Sequence, residues 1–170
     1  MRRQIACGDA FIRRFVFAAA ICLAASQVKA DPPSIAITGV QSNAIQLSVD
    51  DLRQMPTQRV RVILEDRKEA EYEGVSVGAV LSRAGVAMGT AIRGKHLANY
   101  LLVTARDGYR VVFALPELDP EFTDRVVLLC FARDGAPISP EEGPFRIVIT
   151  QERRHARWVR QVKELTLKTE

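Results

Sequence analysis

Between Arg153 and Arg160 the sequence sets four arginines, Arg153, Arg154, Arg157 and Arg160, around His155 and Trp158. Guanidinium groups donate in a planar fork that matches carboxylate and phosphate oxygens, so this cluster has the chemistry to clamp an anion through charge-assisted hydrogen bonds. The same spacing also suits a solvated face, and Trp158 suits a core position as well as a ligand platform. A second candidate is Glu65-Asp66, two carboxylates of the kind used in general acid–base work. Neighbours on a strand point to opposite faces, which separates the two acids. His96 and His155 stand without metal-ligand spacing, and Cys130, set between Leu129 and Phe131 in an apolar run, reads as a buried, inert thiol. Glu141-Glu142 falls in a polar loop from Pro137 to Gly143 and reads as a solvated face. The sequence contains no phosphate-cradling glycine loop, no Cys/His metal spacing and no Ser-His-Asp signature.

The elements that position these groups are mostly strands. Tyr100 to Ala105 and Tyr109 to Leu115 flank Asp107-Gly108, a dipeptide suited to a tight hairpin, and Val126 to Phe131 follows after Pro116 and Asp119-Pro120. Together they suggest a three-strand platform around which the chain is organised. Tyr109 alternates with Val111 and Phe113, a packing pattern. Earlier, Ser34 to Thr38 reads as a short strand, Ser48 with Asp51 as a capped helix start that Pro56 ends, and Thr57 to Leu64 as a strand with one buried face. Glu65 to Glu69 reads as a charged loop. Ser76 opens a helix over Val77 to Ala84, closed by Gly85 in a left-handed cap. Phe145 to Thr150 and Val162 to Lys168 read as the last strands, giving about seven strands and two short helices, an α+β domain.

Residues 1–30 read as a cleavable export signal. Arg2, Arg3, Arg13 and Arg14 lead an apolar run from Phe15 to Ala25, and Val28-Lys29-Ala30 forms a small-x-small cleavage site. The run is short for a membrane span, so no span is expected after removal. Arg13-Arg14 fits both twin-arginine and ordinary export. The whole chain carries a formal charge of +4, yet residues 1–30 hold five basic and one acidic side chain, which leaves 19 of each sign beyond them. A nucleic-acid partner therefore loses its electrostatic support. Cys7 and Cys22 leave with the signal, so Cys130 has no partner for an internal disulfide. The expected organisation is a signal at 1–30, a leader with a short strand at 31–44 and a domain at 45–170, located in the periplasm or secreted.

The segments YEGVSVGAVLSRAGV, YLLVTARDGYRVVFALPEL, VVLLCFARDGAPISPEEGPFRIVI and ARWVRQVKELTL resemble, in order, successive blocks of the oxidoreductase molybdopterin-binding domain, the catalytic domain of sulfite oxidases. The resemblance covers most of residues 45–167. It implies an α+β fold with mixed and antiparallel β-sheets and a few short helices. It also implies a pocket where an enzyme of the family holds molybdenum through a pterin dithiolene and one cysteine. By position Asp66 is the counterpart of that cysteine, and the Gly-Asn that accompanies it is missing. A hard carboxylate does not reproduce a soft thiolate, although it does not forbid a metal. Arg157-Trp158 falls on the family's basic residue-Trp pair, and His155 falls where the cofactor enzymes carry a small hydroxylated residue near the pterin phosphate. The resemblance thus implies a candidate pterin or anion site made by Asp66, His155, Arg157 and Arg160. The expected function is a ligand-binding or accessory module for an anionic small molecule or pterin. The alternative is an active molybdopterin-dependent oxidoreductase with unusual ligation and a periplasmic electron-transfer partner.

Overall fold

Alternation of apolar and polar residues becomes strand along much of the chain. The computed structural model describes residues 32–40 and 44–169, and the signal expected over residues 1–30 lies outside the described residues. In chain order the elements are β1 (Ser34–Thr38), β2 (Ile45–Ser48), α1 (Val49–Arg53), β3 (Thr57–Ile63), β4 (Glu69–Ser76), α2 (Val77–Arg83), β5 (Tyr100–Ala105) and β6 (Arg110–Ala114). They continue with β7 (Val127–Arg133), β8 (Ala136–Pro137), β9 (Arg146–Ile149) and β10 (Val162–Lys168). Short 3₁₀ turns at Leu115–Leu118 and His155–Arg157 carry the chain out of β6 and towards β10. No helix among the described residues is long and apolar enough to cross a membrane.

Two sheets result. The first has the order β2-β1-β10-β5-β6 and is mixed, because β1 runs parallel to β10 while the other pairs are antiparallel. The second runs β3-β4-β7-β8, with β9 also paired to β7. One apolar cluster joins them, with Ile35, Leu101, Val103, Phe113 and Leu165 from the first sheet and Val75, Leu128, Leu129 and Ile147 from the second. The leader expected over 31–44 thus contributes β1, an interior strand of the first sheet.

The three-strand platform expected from Tyr100 to Arg133 is split. β5 and β6 form the predicted hairpin, with Gly108 at φ +88°, but β7 belongs to the other sheet. The reason lies in the burial patterns. β6 alternates buried and exposed residues, as an edge strand does, whereas Val127 to Ala132 is buried without interruption. A continuous apolar run needs cover on both faces and strands on both edges, and β7 obtains its edges from β4 on one side and from β8 and β9 on the other. β4 itself is a strand lying between the expected charged loop at Glu65 to Glu69 and the expected helix after Ser76. It alternates charged outward residues with buried Ala70, Tyr72 and Gly74.

The short helices are fixed by local hydrogen bonds. Ser48 Oγ accepts from the Asp51 N–H at 3.1 Å while Asp51 accepts from the Ser48 N–H at 2.8 Å, a reciprocal capping box. Ser76 Oγ accepts from the Ala79 N–H, and at the far end Val86 N–H donates to the Leu81 carbonyl while Gly85 takes φ +94°.

At Gly74 the β4–β7 register shifts, and the backbones approach so closely that a Cβ would lie 2.4 Å from the Leu129 carbonyl oxygen and 2.6 Å from Cys130 Cα. Both obstructing groups are backbone, which cannot rotate away. Gly74→Ala should therefore lose about 3 kcal/mol of stability in urea unfolding. A loss within experimental error would show that the two central strands separate freely.

Candidate functional site

The site begins where two arginines leave the apolar interior of the second sheet. Arg133 ends β7 opposite Tyr72 of β4, and Arg146 opens β9 opposite Cys130. Their guanidinium carbons lie 5.7 and 5.5 Å from the Tyr72 ring centroid, and that of Arg146 is also 6.0 Å from the Trp158 ring. Tyr72 and Trp158 meet edge to face at 6.4 Å and 88°. Glu142, from the loop before β9, sets one carboxylate oxygen against both cations, 3.5 Å from Arg133 Nη1 and in an ion pair with Arg146 Nη1 that lacks hydrogen-bond alignment. Arg133 also pairs with Asp134 at 3.2 Å.

The segment between β9 and β10 closes one side. Gln151 and Gln161 take φ of +60° and +49° at its two ends, and the ring of His155 stacks on Trp158 at 3.8 Å and 19°. The β5–β6 hairpin braces this segment, because the Tyr109 hydroxyl donates to the Ala156 carbonyl at 2.8 Å. Together they bound a cavity of about 600 Å³, a size suited to a small molecule or cofactor. Arg133, Glu142, Arg146, His155, Trp158 and Arg160 line it, joined by Asp107 and Tyr109 from the hairpin and by Glu65 and Asp66 from the β3–β4 turn.

Four buried donor atoms beside the cavity have no hydrogen-bond partner: the Tyr72 hydroxyl, Arg146 Nε and Nη1, and Trp158 Nε1. A buried donor left without an acceptor is costly, and native interiors rarely keep one without a use. Burial pushes the Tyr72 hydroxyl above its ordinary pKa, so the group stays protonated and able to donate.

Of the residues expected to form the site, the structure brings Asp66, His155 and Arg160 to the walls of this cavity and leaves Arg157 out. Arg157 Nε donates to Glu152 at 2.8 Å and Nη1 to Glu117 at 2.9 Å, with its guanidinium 4.9 Å over the Phe113 ring. Burial opposes its charge, and the two carboxylates outweigh that effect and raise its pKa. Arg157 is a tie between the 3₁₀ turn and β6, spent on structure rather than on a ligand. Arg153 and Arg154 are exposed and border a neighbouring, more open hollow.

Asp66 lies on a turn, where its carboxylate accepts from the Lys68 backbone N–H at 3.2 Å and pairs with Lys68 Nζ at 3.0 Å. The hydrogen bonds to Lys68 hold it below the usual carboxylate pKa. It is a charged rim group, and Glu65 beside it is exposed as well. Glu142 corrects the expectation of a solvated loop face, since its side chain is 23% exposed and bound between two arginines. Arg146 was the residue that sequence reasoning missed. Its signal was a lone cation inside the apolar run Phe145-Arg146-Ile147-Val148-Ile149.

Two sheets of mixed and antiparallel strands with few helices, enclosing an arginine-lined cavity at one end, define the sulfite oxidase-like molybdopterin domain fold. The model of the oxidoreductase molybdopterin binding domain matches residues 65–170, and the chain belongs to that family. The structure is similar to that of the sulfane dehydrogenase SoxCD from Paracoccus pantotrophus, with a TM-score of 0.59 and 19% identity. The likeness covers 81% of this chain and 38% of that one, so the chain spans well under half of its structural relative, and at that identity the likeness speaks for the fold. No curated protein matches the sequence.

Molybdopterin binding is the property the family suggests, and the cavity meets half of its demands. Arg133, Arg146 and Arg160 along its wall fit an anionic, acceptor-rich group. The demand for a soft metal ligand is not met, because no cysteine lines the cavity. Cys130 is buried within β7, and desolvation raises its thiol pKa far above the ordinary value. Among the described residues no cluster of three His, Cys, Asp or Glu side chains is placed to hold a metal ion.

Replacing Arg157 by Ala leaves Glu152, which is 16% exposed, without its cation. We expect this variant to lose about 2 kcal/mol of stability while ligand affinity per folded molecule stays within twofold, as chemical denaturation and a binding titration would establish. A large loss of affinity at unchanged stability would return Arg157 to the site.

Proposed function

We propose that this chain is an exported, ligand-binding or accessory module of the molybdopterin-binding oxidoreductase family, working in the periplasm or outside the cell. It takes an anionic small molecule or a pterin in the cavity but does not hold molybdenum as the thiolate-bearing enzymes do. One observation carries the reading: a cavity lined by three arginines to which no thiol is presented. Asp66, placed by sequence order at the family's cysteine position, offers instead a hard carboxylate already neutralised by Lys68. Export rests on the charged, apolar and small-residue pattern of residues 1–30.

The alternative, an active oxidoreductase with carboxylate-ligated molybdenum and a periplasmic electron-transfer partner, predicts a different composition of the purified protein. Metal and pterin analysis after expression in a molybdenum-replete host should find far less than one molybdenum per chain. Stoichiometric molybdenum would overturn the accessory reading in favour of the enzyme.

A further inference from the structure

We propose that β6 is a dimerisation edge, at which two copies of this chain pair their Arg110–Ala114 strands antiparallel about Val112 and join their first sheets into one. The proposal concerns the outer edge of that sheet, so it stands apart from what the cavity binds.

The hydrogen bonding of the hairpin leaves this edge open. Ala105 N–H donates to the Tyr109 carbonyl and Leu115 N–H to that of Asn99. Between these bonds the register sets Val103 against Val111 and Leu101 against Phe113 without a shift. Antiparallel partners alternate between bonded and non-bonded pairs, so Val111 and Phe113 bond to β5 while the N–H and C=O groups of Arg110, Val112 and Ala114 point away from it. β6 ends its sheet, with β5 as its one strand neighbour. The side chains of the same three residues stand on the face away from the core. Val112, 51% exposed, lies across from Leu102, and Tyr100, 38% exposed, lies across from Ala114. An edge that is apolar at its centre and carries neither proline nor bulge is a template for another strand.

A second copy is the occupant that symmetry and charge select. A twofold axis at Val112 sets the strand against itself, so that each outward N–H meets a C=O at Val112 and where Arg110 of one copy faces Ala114 of the other. A parallel arrangement would set Arg110 against its own copy. The antiparallel one moves the two arginines to opposite ends, each towards the end of the other copy that carries Glu117, 41% exposed. The remaining edges suit such pairing less well. β3 presents Arg59 and Arg61, which a twofold would bring together, β8 has two residues, the Ser48 N–H at the end of β2 is taken by Asp51, and β9 bonds onward to Val159. Pairing over a strand of 5 residues makes a small interface, so the dimer is weak, with a Kd of about 50 µM. The hairpin that it immobilises brings Asp107 and Tyr109 to the cavity, so the dimer steadies one wall of each cavity.

Sedimentation velocity of the purified chain from about 5 to about 500 µM should show a monomer–dimer equilibrium. Val112→Pro removes an outward N–H without breaking a bond to β5, a change that edge strands accept. Val112→Lys instead sets two like charges at the axis, and each variant should weaken the dimer at least about tenfold. Arg61→Pro is the matched control. Leu64 N–H donates to the Lys68 carbonyl, which by the same alternation turns the Arg61 N–H to the free side of β3, and this variant should leave the dimer unchanged. Amide exchange followed by NMR reads the edge itself. The Val112 N–H should exchange more slowly as concentration rises, while the Val111 N–H, bonded to β5, should stay protected throughout. Circular dichroism separates misfolding from lost pairing, and the lysine variant carries the test if the proline variant does not fold. A monomer at every concentration, its edge bare or left to a different chain, would overturn the proposal, as would a dimer that survives both changes at Val112 or is lost with Arg61→Pro. The molybdenum content of the chain bears on none of these readouts, so failure here and failure of the accessory reading appear in different measurements.

Discussion

Most of this fold depends on the need to bury β7. A strand with apolar side chains on both faces is stable only when covered above, below and along both edges, and each neighbouring element meets one of these demands. β4 takes one edge at so close a distance that only glycine fits at position 74, while β9 and β8 share the other. The polar end of the same strand, Arg133, and Arg146, set opposite Cys130 on β9, then meet at the carboxylate of Glu142. The cavity is a consequence of how the core ends.

At that end, electrostatics and packing cannot be separated. Arg146 is buried among aromatic faces, where cation–π attraction and a nearby carboxylate offset part of its desolvation. The open donors mark the part that is not offset. Arg157 shows the opposite outcome, since its Nε and Nη1 are spent on Glu152 and Glu117 within the chain. The two arginines thus differ because Arg157 finds aligned acceptors within the chain, whereas Arg146 has a counter-charge without an aligned hydrogen bond.

Local features of the fold were legible in the sequence to the extent that their causes were local. Asp107-Gly108 announced the hairpin, Ser48 with Asp51 announced a capped helix, and Gly85 its counterpart at the end of α2. Whether β7 joins β5 and β6 or the other sheet depends on pairing between distant segments, and the apolar run that marks it as a strand does not name its neighbours. β4 escaped notice because Glu69, Glu71 and Glu73 mask the buried Ala70, Tyr72 and Gly74. At the site, chain order brought out the arginine-rich segment, but the deciding groups, Tyr72, Arg133, Glu142 and Arg146, come from four separate places and are joined only by the register of the second sheet.

The parallel pairing of β1 with β10 bears on how the chain comes to be folded. β10 is the middle strand of the first sheet, with β1 and β2 on one flank and the β5–β6 hairpin on the other, and Ala36 meets Glu164 across nearly the whole length of the domain. During synthesis both flanks emerge long before the strand that must join them, so two apolar hairpin surfaces wait for a single late segment. Such long-range closure is slow compared with hairpin formation. A chain released before β10 lacks the piece that makes the two halves of the sheet one structure, and is a ready substrate for chaperones and proteases.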